Sequence, residues 1–96
     1  MPQVTLAERA LADLERIQDF LIERGPETAS ATLESILDAF SILARHPYVG
    51  RPVEGPLREL VISFGAPGYV ASYRVREPVD RVDVLALRHQ REAGFG

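Results

Sequence analysis

Two four-residue segments, Gly65-Ala66-Pro67-Gly68 and Glu77-Pro78-Val79-Asp80, constrain this chain more than anything else in it. Both are built from turn formers, and they separate three runs of apolar-rich sequence at about 57–64, 69–76 and 81–88. Connections that short join only antiparallel neighbours. The last third therefore reads as a three-stranded antiparallel meander. In its first strand Leu60, Ile62 and Phe64 share a face with Arg58. In the second, Tyr69, Ala71, Tyr73 and Val75 face one way, and Val70, Ser72, Arg74 and Arg76 the other. The third alternates Val82, Val84 and Ala86 with Asp83, Leu85 and Leu87. Beyond Asp83 it is apolar on both faces, as a central or covered strand is.

The first half has the other period. Thr5-Leu6-Ala7-Glu8 has the form of a capping box, with the Thr hydroxyl accepting from the Glu8 amide. Ala10, Leu14, Ile17 and Leu21 then recur at helical spacing, joined by Leu11 and Phe20. Gly25-Pro26 ends this helix, and Pro26 can open the next, because its missing N–H would be unpaired at a first position anyway. Ala29, Leu33, Ile36, Leu37, Phe40 and Leu43 form the second stripe, which must stop before Pro47. Two helices with almost nothing between them form an antiparallel hairpin. Residues 1–4 can supply a short strand before them. His46 to Pro56 holds three prolines and two glycines in eleven residues and reads as an irregular linker from helix to sheet. The expected fold is α+β: a short N-terminal strand, an antiparallel helix hairpin, then the meander, in one domain over residues 1–96. Paired layers of this kind bury the helix stripes against one sheet face.

Composition narrows the function. A 96-residue chain buries only roughly 60–70% of its unfolded surface, so a partner that covers apolar surface would stabilise it. No apolar run reaches the roughly 18–20 residues of a membrane span, and the N-terminus has no leader pattern. With no cysteine, disulfides and thiolate–metal sites are excluded, and a cytoplasmic location is expected. Two histidines far apart give no metal-ligand spacing, so neither metal nor cofactor is expected. All eleven basic residues are arginine. Residues 1–46 carry 4 Arg against 8 Asp/Glu, and residues 47–96 carry 7 against 6. A net charge of −3 does not suit a protein that grips nucleic acid by bulk charge. An anionic target must meet a local arginine cluster, or the target is a protein.

The order of these elements resembles the RelE/ParE superfamily of type II toxin–antitoxin toxins. The residues that carry the likeness run from Ala10-Leu11-Ala12-Asp13-Leu14-Glu15-Arg16-Ile17 through His46-Pro47-Tyr48-Val49-Gly50-Arg51-Pro52. They continue with Arg58-Glu59-Leu60, with Gly68-Tyr69-Val70 to Tyr73-Arg74-Val75, and with the closing Arg88-His89-Gln90-Arg91. The resemblance implies a toxin neutralised by a cognate antitoxin, of ribbon–helix–helix DNA-binding type, with operator DNA touched only through that antitoxin. It also implies one of two targets. ParE-type toxins inhibit DNA gyrase and have no attributed nuclease site; RelE-type toxins cut messenger RNA on the ribosome without a metal.

Metal-free RNA cleavage needs proton transfer and cations around the developing phosphorane charge. His89 can act as acid or base, Arg58 and Arg74 can clamp phosphate, and Tyr69 or Tyr73 can stack on a base. Against this, the chain has no lysine and is acidic overall, which brings it closer to the ParE type. On that reading no residue is catalytic. Arg58, Tyr69, Tyr73, Arg74, Arg88, His89 and Arg91 are then contacts to target or antitoxin. An antitoxin segment with acidic side chains and apolar anchors would neutralise Arg58, Arg74 and Arg88. The remaining alternative is a non-toxic relative that only binds an antitoxin partner. His46 reads as a helix-terminal residue favoured by the dipole.

Overall fold

The computed structural model describes residues 1–62 and 68–90. Its elements in chain order are β1 (Gln3–Leu6), α1 (Glu8–Arg24), α2 (Pro26–Arg45), β2 (Arg51–Pro52), β3 (Leu57–Ile62), β4 (Tyr69–Arg76), a 3-10 turn (Glu77–Val79) and β5 (Arg81–His89). The expected β-α-α-β-β-β order is present, and the meander is the heart of a five-stranded sheet ordered β1-β5-β4-β3-β2. β1 pairs with β5 in parallel, Val4 opposite Val82 and Leu6 opposite Val84, which makes the sheet mixed. The linker is not wholly irregular. Arg51 and Pro52 pair antiparallel with Glu59 and Arg58, because Pro52 sits on the sheet edge, where its missing N–H leaves no gap in the ladder.

The helix boundary falls where glycine and proline place it. Gly25 adopts φ 143°, a conformation L side chains rarely take, and Pro26 starts α2. His46 follows Arg45 as the helix-terminal residue. The capping box is not formed. Thr5 lies in β1, and its Oγ1 donates to Asp83 Oδ1 at 2.8 Å, across 78 residues of sequence. Ala7 occupies the N-cap of α1 without a side-chain cap.

The core lies between the helix pair and one sheet face. Ala10, Ile17 and Leu21 bury from α1, and Ala29, Thr32, Ile36, Ala39, Phe40 and Leu43 from α2. The expected stripes are slightly out of phase: Leu11, Phe20 and Leu37 remain half-exposed. From the sheet, Ile62, Tyr69, Ala71, Tyr73, Val82, Val84 and Leu87 complete the cluster.

The central position expected for β5 holds, since it lies between β1 and β4. Its expected alternation does not persist to the end. Ser72 faces Ala86 and Tyr73 faces Val84, so Leu85 is the unpaired residue of a β-bulge. One extra residue inverts the alternation, and the buried set becomes Val82, Val84 and Leu87 instead of Val82, Val84 and Ala86. Beyond Val84, β5 has no strand on its β1 side among the described residues. There the Leu87 amide donates to Asp13 Oδ2 of α1 at 2.9 Å.

Candidate functional site

The register assigns every candidate side chain to one of two sheet faces. Arg58 faces Tyr73, and Tyr69 faces both Ile62 and His89, so all of these belong to the helix-covered face. Arg74, Arg88 and Glu59 lie on the other face, where no helix packs among the described residues.

Arg58 is spent on the linker. Its Nη1 donates to the carbonyls of Tyr48 at 3.0 Å and Gly50 at 2.7 Å, and its guanidinium sits 5.0 Å from the Tyr48 ring centroid. Tyr48 in turn donates its hydroxyl hydrogen bond to Glu77. The Gly50 amide donates to Tyr73 Oη at 2.8 Å. A Cβ at Gly50 would lie 2.6 Å from that oxygen and 2.7 Å from the Glu59 carbonyl, so only glycine fits. These contacts fasten residues 48–50 to the sheet. Neither their partners nor the Gly50 requirement could be read from sequence, although the Gly and Tyr were in view.

Tyr73 is fully buried, and burial pushes its phenol pKa above the ordinary value of 10.0. Tyr69 is 7% exposed. Both were read as candidate contacts or stacking platforms; in the fold their parity places them under the helices, where they join the core. His89 meets Tyr69 edge-to-face at 5.2 Å between ring centroids. With Arg16, Ile17 and Phe20 of α1 these two rings line a cavity of about 480 Å³. Phe20 carries the Arg24 guanidinium 4.4 Å from its centroid. Arg91 lies outside the described residues.

The three residues a nuclease reading needs are not brought together. Tyr73 and Tyr69 are four residues apart on β4, so Arg58 and His89 are separated by about 13 Å along the strands, and by about 10 Å across them. Arg74 is on the opposite face from both. Among the described residues no group of three or more His, Asp or Glu side chains is placed to hold a metal ion.

On the open face, two carboxylates organise the arginines. Asp83 accepts from Arg81 Nε at 2.6 Å and from Thr5, with Arg76 at 3.6 Å, and the Arg81 hydrogen bond leads in holding its pKa below the ordinary aspartate value. Glu59, which the sequence did not mark as a site residue, bridges Arg51 at 3.0 Å and Arg88 at 2.9 Å. Arg74 stands opposite Asp83 but finds that carboxylate already engaged. Among the described residues its buried Nε has no hydrogen-bond partner, and neither has Arg88 Nη1. A buried donor without an acceptor costs about 1–3 kcal/mol.

Comparison with known proteins decides the lineage. The family model described as the ParE toxin of type II toxin–antitoxin system, parDE, matches residues 4–94. This chain belongs to the ParE toxin family. Toxin RelE3 of Caulobacter vibrioides is 39% identical over 92 residues, which are 96% of this chain and 98% of that protein. The chromosomal ParDE system from P. aeruginosa superposes with a TM-score of 0.73 at 26% identity, covering 93% of this chain and 96% of that one. A chain of the RelBE2 toxin–antitoxin complex from Mycobacterium tuberculosis gives 0.63 at 24% identity, covering 93% and 91%, a likeness of fold alone. The ParE-family assignment agrees with the α+β architecture and with the hairpin-on-sheet core. No helix among the described residues is long and apolar enough to cross a membrane.

Proposed function

We propose that this ParE-family chain arrests growth by protein–protein contact, with DNA gyrase as the target, and that a cognate antitoxin holds it inactive in the cytoplasm. The observation that carries this reading is the dispersal of Arg58, Arg74 and His89. Arg58 is engaged by backbone carbonyls, Arg74 is on the far face, and His89 packs against Tyr69. General acid–base cleavage of RNA requires those groups within reach of one phosphate. The deficit of positive charge points the same way, since a ribosomal site is lined with phosphate. The solved relatives are toxin–antitoxin systems, which supports an antitoxin partner here. A ribbon–helix–helix antitoxin would make every contact with operator DNA.

A second reading, ribosome-dependent mRNA cleavage, draws on the RelE names of the curated relatives and on the cavity beside His89. Fold alone does not choose between targets. Short induced expression in a bacterial host, with DNA and protein synthesis pulse-labelled separately, does. Gyrase inhibition stops DNA synthesis first, and His89→Ala weakens it only modestly. Protein synthesis collapsing first, with His89→Ala abolishing the effect, would replace this proposal with the nuclease. No effect on either would leave a non-toxic antitoxin-binding relative.

A further inference from the structure

The open sheet face holds five arginines, Arg51, Arg74, Arg76, Arg81 and Arg88, against two carboxylates, Glu59 and Asp83. It therefore carries an excess of three positive charges on a chain whose net charge is −3. The excess is not evenly shared. Asp83 is saturated by Thr5, Arg81 and Arg76 at one end of the sheet. Arg74 is left without an ion pair among the described residues, and Arg88 keeps one guanidinium nitrogen without an acceptor. Between their rows lie Ser72 and Ala86, two small residues facing each other, with Glu59 opposite Ser72. The register thus places a small-residue strip between two guanidinium groups, one unpaired among the described residues and one shared with Glu59 at the strip's edge.

We propose that this strip is the docking track for an acidic peptide segment of the partner protein. In this assignment Glu59 is an internal counter-ion, and an incoming carboxylate competes with it for Arg88. The proposal rests on the antitoxin reading above and specifies which face the antitoxin segment covers. The planar guanidinium forks of Arg74 and Arg88 match carboxylates, which offer two oxygens each. Arg74 and Arg88 stand four residues apart along β4, about 13 Å, which equals the rise between carboxylates at i and i+4 of an extended segment. Both such side chains project to the same side.

A nucleic acid fits less well. Single strands are held by aromatic stacking as well as charge, and the described residues of this face include no aromatic ring. The tyrosines of β4 are buried on the other face. At the sheet end near Ile62, Val61 is half-exposed on the open face and offers an apolar anchor that a peptide can use.

The test uses the full-length protein and a fluorescein-labelled peptide of alternating Glu and Leu, read by anisotropy. A Lys/Leu peptide and a single-stranded RNA of the same length serve as comparators. The Glu/Leu peptide should bind, its dissociation constant should rise at least tenfold in Arg74→Gln/Arg88→Gln, and Glu59→Gln should tighten binding several-fold. Arg74→Gln alone, which breaks no ion pair, keeps the test open if the double variant fails to fold; a threefold or greater loss is expected. Unchanged affinity in the arginine variants, weaker binding in Glu59→Gln, or preference for RNA would overturn the assignment. Growth arrest on induction is scored separately, so an inert toxin and a misplaced docking face give different results.

Discussion

Arg58 and Arg74 are the same residue type on adjacent strands of one sheet, yet they have opposite fates. Arg58 points to the helix-covered side and meets two carbonyls and a tyrosine ring, all from one loop. Arg74 points to the open side, opposite a carboxylate that other arginines already hold. The first is structural cement; the second is an unsatisfied cation. The difference lies in parity: the two are one sheet position out of step, and one step changes the face. What this teaches is that arginine content on these strands says little until each guanidinium has been assigned a face and a counter-group.

The sharpest way to break the cemented side is Gly50→Ala. The added methyl would meet the Tyr73 hydroxyl at 2.6 Å and backbone at 2.7 Å, and the backbone cannot yield cheaply. The expected loss is about 2–4 kcal/mol in urea unfolding. A loss under 0.5 kcal/mol would show that the linker is not clamped. Tyr73→Phe comes next, at about 1–3 kcal/mol, because it leaves the buried Gly50 amide without its acceptor while preserving the ring. If Phe is neutral, water reaches that amide.

Asp13→Ala should cost about 1–2 kcal/mol, since it orphans the Leu87 amide beside the bulge. The measurement is amide hydrogen exchange at Leu87, which should lose protection relative to its neighbours. Sequence reading could see Asp13 only as one more charge on an amphipathic helix. Its role depends on a partner 74 residues away beside a β-bulge, and on β1 ending at Leu6. The same limit explains the other departures. The turn at Glu77-Pro78-Val79-Asp80, the Gly25-Pro26 break and the strand runs over the described residues are written in local chemistry, and each was legible; the Gly65-Ala66-Pro67-Gly68 turn lies largely outside the described residues. The parity of Leu87 and the diversion of Thr5 to Asp83 are set by long-range pairing, and no local pattern carries them. For the site, the arginines and His89 were legible as candidates. The separation of Arg74 from Tyr69 and Tyr73 was legible from strand parity; which residues of different strands share a face, and the bridging of Arg51 and Arg88 by Glu59, were not.

Acid titration probes the organised end of the open face. Asp83 has its pKa held below the ordinary 3.8 by Arg81, Thr5 and Arg76. A carboxylate with a depressed folded-state pKa contributes stability that is fully present above its unfolded value and is lost as pH falls through the folded one. Asp83→Asn should therefore be less stable than the native chain at pH 7, and the gap should close below about pH 3.8. A gap that stayed constant from pH 7 to pH 2 would mean that Asp83 contributes by packing or neutral hydrogen bonding alone.

The smallest expected effect is the most informative about the comparison itself. Arg74→Gln removes a charge that has no ion-pair partner among the described residues, together with a buried donor that has no acceptor. Stability should then change by no more than about 0.5 kcal/mol, with either sign, because relief of the orphaned donor offsets the lost packing of the stem. Arg88→Gln, which breaks the 2.9 Å contact with Glu59, should be the more destabilising of the two. Measured side by side in urea at low and moderate salt, the pair separates their roles. The Arg88 effect should shrink as salt screens the ion pair, whereas Arg74 should show little salt dependence in the native direction. Should Arg74→Gln prove as costly as Arg88→Gln, Arg74 would be satisfied in solution, and the contrast between cement and surplus on this sheet would fail at its first residue.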